Sequence, residues 1–332
     1  MHKALKLLKF KIPNGISLKS SARNEVLEQV AHRWLPNKFL GTVKQRPKVS
    51  RLLELGHIFY LLGRISLLSQ NTIVNKYTIL RGLNLVERAG PSHELALFMA
   101  SASMLFGHMD MVNTAGTLSK HALSIAHQMA TKEKFHTLAY CSLPLATYRI
   151  SVGSFDEAEE LLNQCSQLCW KIGDMRLLDE CYIAKIVCFD FTGRRAQSAK
   201  LANELLLSAR SRGDQQLSEW ANLIHCNALL ANQKSEEAIK TMEDSEEWMS
   251  KSVGKLDPAK MATFYSIFAL GLLRIGRKAD AHLATEHISQ WILQVQPTSY
   301  FLCYTYYNYA DVCLSLLELS ESPAEKKTFG TK

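Results

Sequence analysis

Between about residue 50 and residue 320, apolar side chains recur at steps of three and four, with no stretch of strict polar and apolar alternation bounded by turn residues. That spacing predicts helix throughout. Leu161, Leu162, Cys165, Leu168 and Cys169 show it: their spacing puts all five on one face, which must pack against something. Gly153, Gly173, Gly193 and Gly213 punctuate the pattern at intervals of twenty residues, the length of one helix and its turn. A glycine closing a helix takes the left-handed conformation without a Cβ clash. Asp174 and Asp214 follow two of these glycines, where their carboxylates are placed to cap the next helix.

Two such units make a hairpin of about forty residues, a period that marks a helical-repeat array. Small residues recur where the two helices of a hairpin would cross. Five residues after the turn stand Ala158, Ala238 and Ala281, with Ala199 six after Gly193; seven before it stand Ala146, Cys226 and Ala269. The expected fold is all-α, a tetratricopeptide-like right-handed helical-hairpin solenoid. Hairpins are expected at 133–172, 174–212, 214–252 and 257–295, with a last helix at 298–319. By domain, the expectation is a basic leader or linker at 1–48, irregular helical repeats at 49–130, the repeat array with its terminal helix at 131–320, and a disordered tail at 321–332. The terminal helix is rich in tyrosine, and packing against the preceding hairpin competes there with a ligand-stacking platform.

Charge changes the picture at one end. Residues 1–51 hold twelve Lys or Arg against Glu25 and Glu28, a net +10; the whole chain is +8, so the remainder carries −2. This speaks against a nucleic-acid groove along the array and leaves a solvated basic linker or a surface for an acidic partner. Met1–Asn24 lacks acids and contains Ser17, Ser20 and Ser21, as mitochondrial leaders do, although its cations lean to lysine rather than arginine; a cytoplasmic location is expected, with a mitochondrial one as the alternative. The longest apolar runs, such as Tyr265–Leu273, fall short of the roughly 18 residues a membrane span requires. Eight cysteines lie scattered through helical segments without zinc spacing and read as reduced core thiols, so neither metal nor cofactor is expected.

Three stretches carry a resemblance: Asn84-Leu85-Val86-Glu87-Arg88-Ala89-Gly90-Pro91-Ser92 with Glu94, Leu95 and Ala96; Pro297-Thr298-Ser299-Tyr300-Phe301; and Leu35-Pro36-Asn37-Lys38-Phe39-Leu40-Gly41. The chain resembles the C-terminal tetratricopeptide-like repeats of large signalling ATPases of the soluble adenylyl cyclase type. In those proteins cyclase or kinase domains precede an ATPase module and then the repeats. The resemblance implies a regulatory repeat region in a cAMP-signalling context. It does not bring activity, because the GxxxxGK[ST] phosphate loop is absent and no strand pattern exists to carry cyclase aspartates.

No acid, base and nucleophile converge in the sequence. HExxH and GxSxG are missing, and Cys226 beside His225 occupies a helix-crossing position that favours packing over nucleophilic chemistry. A protein partner or neighbouring domain is expected instead, held on the first helices of the hairpins by Tyr140, Leu143, Thr147, Trp220, Leu223, Asn227, Leu270 and Arg274. A regulatory or scaffolding module, a free-standing adaptor and an α-helical enzyme with an unrecognised site are the three classes, in that order.

Overall fold

A computed structural model of the chain describes residues 13, 15–69, 71–251, 257–295 and 302–320. Met1–Ile12, the Pro297–Phe301 stretch and the tail at 321–332 lie outside the described residues. All fifteen elements among the described residues are helices: α1 Ile16–Trp34, α2 Pro36–Phe39, α3 Arg46–Leu68, α4 Thr72–Glu87, α5 His93–Gly107, α6 Val112–Gln128, α7 Thr131–Ser151, α8 Phe155–Ile172, α9 Met175–Phe191, α10 Arg195–Ser211, α11 Gln215–Ala231, α12 Ser235–Lys251, α13 Pro258–Arg274, α14 Lys278–Ile292 and α15 Cys303–Leu319. The strongest pairings, α3/α4, α5/α6, α7/α8 and α13/α14, join neighbours in sequence, whereas α15 packs chiefly on α13. The chain is therefore all-α and tetratricopeptide-like.

The glycine turns form as the spacing predicts. Gly153, Gly173, Gly193, Gly213 and Gly276 have φ of +76°, +73°, +75°, +66° and +84°. The residue after each glycine donates its N–H back to a carbonyl five positions earlier, as Asp174 does to Cys169 (3.0 Å) and Arg194 to Phe189 (2.8 Å). This bond satisfies a carbonyl that the helix end would otherwise leave orphaned. Asp174 and Asp214 then cap the next helices, accepting from Leu177 N and Leu217 N at 3.0 Å. Gln233 keeps the same turn at φ +62° without being glycine.

At the crossings, Ala146, Ala158, Cys226, Ala238, Ala269 and Ala281 are all fully buried. One expectation is corrected here. In the second hairpin the crossing residue is the fully buried Ser198, five after Gly193, and Ala199 is only half-buried. The spacing is thus uniform, and serine is small enough to fill it.

Contacts divide the chain into two compact units, residues 1–184 and 185–332, with the boundary inside α9. In the first, α3/α4, α5/α6 and α7/α8 are hairpins, and α5 also lies along α7. The first two hairpins occupy the stretch expected to be irregular. Their helical glycines allow close approach: a Cβ on Gly82 would collide with the Phe98 ring, and one on Gly107 would sit 2.5 Å from Tyr148 Cδ2.

The basic leader also contains structure, because α1 packs on α4. Ile16–Trp34 is a packed helix, not the solvated linker its charge suggests, and its buried face is mostly polar: Leu18, Ala22, Glu25, Gln29 and His32. Gln29 Nε2 donates to Asn84 Oδ1 (2.6 Å) and Glu87 Oε2 (2.8 Å), and Asn84 Nδ2 donates to Glu25 Oε2 (2.7 Å). Glu87 is fully buried and also meets His32 Nδ1 at 2.5 Å and pairs with Arg33. The link to α3 is clipped down by Gly41 N donating to Glu87 O (2.8 Å) and Val43 N to Arg88 O (3.0 Å).

In the second unit, α13/α14 is a hairpin, α10 and α12 flank α11, and α15 lies on α13 and α14. One apolar cluster joins α11 to α15, including Cys226, Met242, Phe264, Ala269, Ile288 and Val312.

Candidate functional site

Of the residues expected to form a groove, three lie in the first unit, Tyr140, the half-buried Leu143 and Thr147. Tyr140 on α7 is half-buried and donates its phenol proton to Asp174 Oδ2 (2.6 Å). His136 stacks on it at 4.6 Å, and the Arg64 guanidinium sits 5.2 Å from the ring centroid. Arg64 is itself forked onto Glu180 at 2.7 and 2.8 Å. Burial and the bond to Asp174 push the Tyr140 phenol above its usual range, so it stays a donor. Thr147 does not join this cluster: it is buried, and its hydroxyl donates to Leu143 O in its own helix (3.0 Å).

The second unit brings more of the expected set together. Asn227, Leu270 and Arg274 line a cleft of about 820 Å³ with Asp190, Tyr304 and Asn308. Trp220 is not among the lining residues; it packs half-buried against the apolar cluster. Leu223, also expected there, is a buried core residue.

Three features define the chemistry of the cleft. Tyr304 donates to Asp190 Oδ2 at 2.6 Å, and burial pushes the Asp190 carboxyl above its usual range. Arg274 Nη1 donates to Leu230 O (2.8 Å) and Arg195 Nη1 to Ala231 O (3.3 Å), so two guanidiniums meet the last carbonyls of α11, where cations suit the helix dipole. Asn308 Nδ2 donates to Asn227 Oδ1 (2.9 Å), which leaves the Asn227 amide nitrogen and the Asn308 carbonyl oxygen unpartnered among the described residues. One donor and one acceptor together complement an amide group.

Sequence reasoning named Asn227 and Arg274 but missed Asp190, Arg195 and Asn308. The crowded tyrosines of the terminal helix were its one signal, and the structure divides them. Tyr306 donates to Val295 O (2.8 Å) and Tyr309 meets Ser289 Oγ (2.9 Å), whereas Tyr304 and the exposed Tyr307 line the cleft. Tyr300 and Phe301 lie outside the described residues.

Cys226 serves packing: it is fully buried and its thiol is pushed up to about 12, chiefly by burial. Such a thiol is inert at neutral pH. Cys165 and Cys169 lie 3.9 Å apart as unbonded thiols. Among the described residues no group of three His, Cys, Asp or Glu is placed to hold a metal ion, and no helix is long and apolar enough to cross a membrane.

No protein-family model and no curated protein matches the chain. Among solved structures it is similar to the nearly identical TPR-like repeats of a kinesin light chain candidate from Podosopora anserina, at 15% identity and a TM-score of 0.48, covering 60% of this chain and 95% of that one. A singly substituted form of the same repeats gives 15% identity and a TM-score of 0.49, over 58% and 92%. The fold assignment rests on the chain's own hairpins and turns.

Proposed function

We propose that this chain is a non-catalytic helical-repeat scaffold that holds a protein partner or a neighbouring domain, with the cleft of the second unit as its seat. The observation that carries this is the make-up of the cleft. It gathers an open amide pair, an exposed tyrosine and two arginines from separate helices and the turns between them.

The finer reading is that the module regulates a nucleotide-dependent signalling enzyme of the soluble adenylyl cyclase type. What supports it is the resemblance of Leu35–Gly41 and Asn84–Ser92 to that family, together with the contact between these two stretches through Gly41 N and Glu87 O. Cyclase or ATPase sequence upstream in the same transcript is the expected finding for this reading, and its absence would favour a free-standing adaptor.

The seat is tested with a photo-crosslinking side chain placed at Tyr307 in the cleft, or at the exposed Leu283 as a control. Discrete partner adducts are expected from position 307 only, and Asn227→Ala should weaken them without changing the helical circular dichroism. Equal adducts from both positions would sink the assignment.

A further inference from the structure

Helix α1 gives one face to α4 and the other to solvent. Ile16, Ser20, Arg23, Leu27, Val30 and Trp34 follow one another at steps of four and three and so form one line along it. All six are exposed: Ile16 by 88%, Leu27 by 67% and Trp34 by 82%. The line continues into the exposed Leu35 and Leu40. Exposed cations accompany it, Lys19 and Arg23 on the helix and Lys38, Lys44, Arg46 and Lys48 just after. Neither acid of this segment stands in that line: Glu25 is buried against Asn84 and Arg81, and Glu28, with 40% of its side chain exposed, is 3.7 Å from both His32 and Arg81.

We propose that the outer face of α1 and the Trp34–Leu40 corner bind an anionic phospholipid surface. The charge complementarity is direct, since basic side chains flank the ridge and no acid is left on it to repel lipid phosphates. An exposed indole beside leucines and lysines suits the membrane interface, where the ring lies at headgroup depth and the cations meet phosphates. A second helix would need a continuous apolar seam, and Ser20 and Arg23 interrupt this one. The helix lies on the lipid and does not span it, in keeping with the absence of any spanning helix among the described residues.

The experiment floats the full chain with vesicles of phosphatidylcholine alone or with about 30% phosphatidylserine, at about 0.05 M and about 0.5 M salt. The chain is expected to float only with the anionic vesicles and to be released by the higher salt. The Trp34 contribution to the emission, obtained by difference from Trp34→Phe, should move to the blue and be quenched by brominated lipid. Leu27→Ser with Trp34→Ser should lower partitioning about tenfold or more, as two large side chains no longer bury, with circular dichroism unchanged. Leu283→Ser, on an exposed site of the second unit, should have no effect. Failure of the wild-type chain to float at low salt overturns the proposal, as does equal flotation of the double variant. A wild-type dimer that ignores vesicles and that the double variant makes monomeric would assign the face to a second copy, and would also overturn it.

Discussion

Gln233 holds a left-handed backbone of the kind that Gly153, Gly173, Gly193, Gly213 and Gly276 hold at the corresponding turns, and for a side chain with a Cβ that conformation costs about 1–2 kcal/mol. Gln233→Gly is therefore expected to raise stability by about 0.5–1 kcal/mol, and Gly173→Ala, at φ +73°, to lower it by a similar amount; urea unfolding measures both. Asp214→Ala removes the acceptor for Leu217 N and should cost about 1 kcal/mol in the same assay. The glycine turns and aspartate caps were legible because their function depends on residue type at a fixed spacing. The Gln233 conformation was legible only through the spacing. At Ser198 the preference for alanine pointed one residue too far, because position in the crossing, not residue type, decides which side chain is enclosed. Cysteine reactivity belongs to the same scale: Cys303 is the exposed thiol and the other seven are buried. A limiting dose of alkylating reagent on the native chain is expected to modify Cys303 first, as peptide mapping would show.

The α1/α4 interface is held by charge and amide groups more than by apolar area. Glu87 sits at its centre, fully buried with Gln29, His32 and Arg33 around it. Glu87→Ala leaves those groups buried without their acceptor and should cost about 3–5 kcal/mol, detected as loss of hydrogen-exchange protection in α1. Burial pushes the Glu25 carboxyl above its usual value of 4.5, so the folded chain binds that proton more tightly than the unfolded one. Stability from this group accordingly rises as pH falls through the raised value and levels off below 4.5. Glu28 works in the opposite sense and in a lower window: the His32 hydrogen bond holds its carboxyl below 4.5, and its contribution is lost as pH falls through that lowered value. Glu25→Gln should flatten the pH dependence of the urea midpoint above 4.5. Little of this packing could be read from apolar periodicity, because most large apolar residues of α1 mark its outer face and three of its five buried ones, Glu25, Gln29 and His32, are polar. The hairpins α7/α8 and α13/α14 were readable for the converse reason, their enclosed faces being apolar or small.

In each unit the strongest hairpins join neighbours in sequence, and α15 returns onto α13, so disturbance should spread through these local contacts. Ala269→Leu overfills a fully enclosed crossing and is expected to cost about 1–3 kcal/mol, with hydrogen-exchange protection falling most in α13, α14 and α15 and less toward α10. The cleft lies at this scale as well: its members run from Asp190 to Asn308, and no local motif ties them together. Counting back from the turns found Asn227 and Arg274 because they sit on first helices of hairpins. It could not find Arg195 at the start of a second helix, or Asn308 on a helix with no turn to count from. The placement of the tryptophans has an optical consequence. Trp34 and Trp170 in the first unit already face water at 82% and 62%, while Trp220 and Trp291 are half-buried in the second. The red shift of intrinsic emission during a denaturant melt is thus a signal weighted toward the second unit, and far-ultraviolet dichroism, which counts helices wherever they lie, has to accompany it for the first unit's melting to be seen.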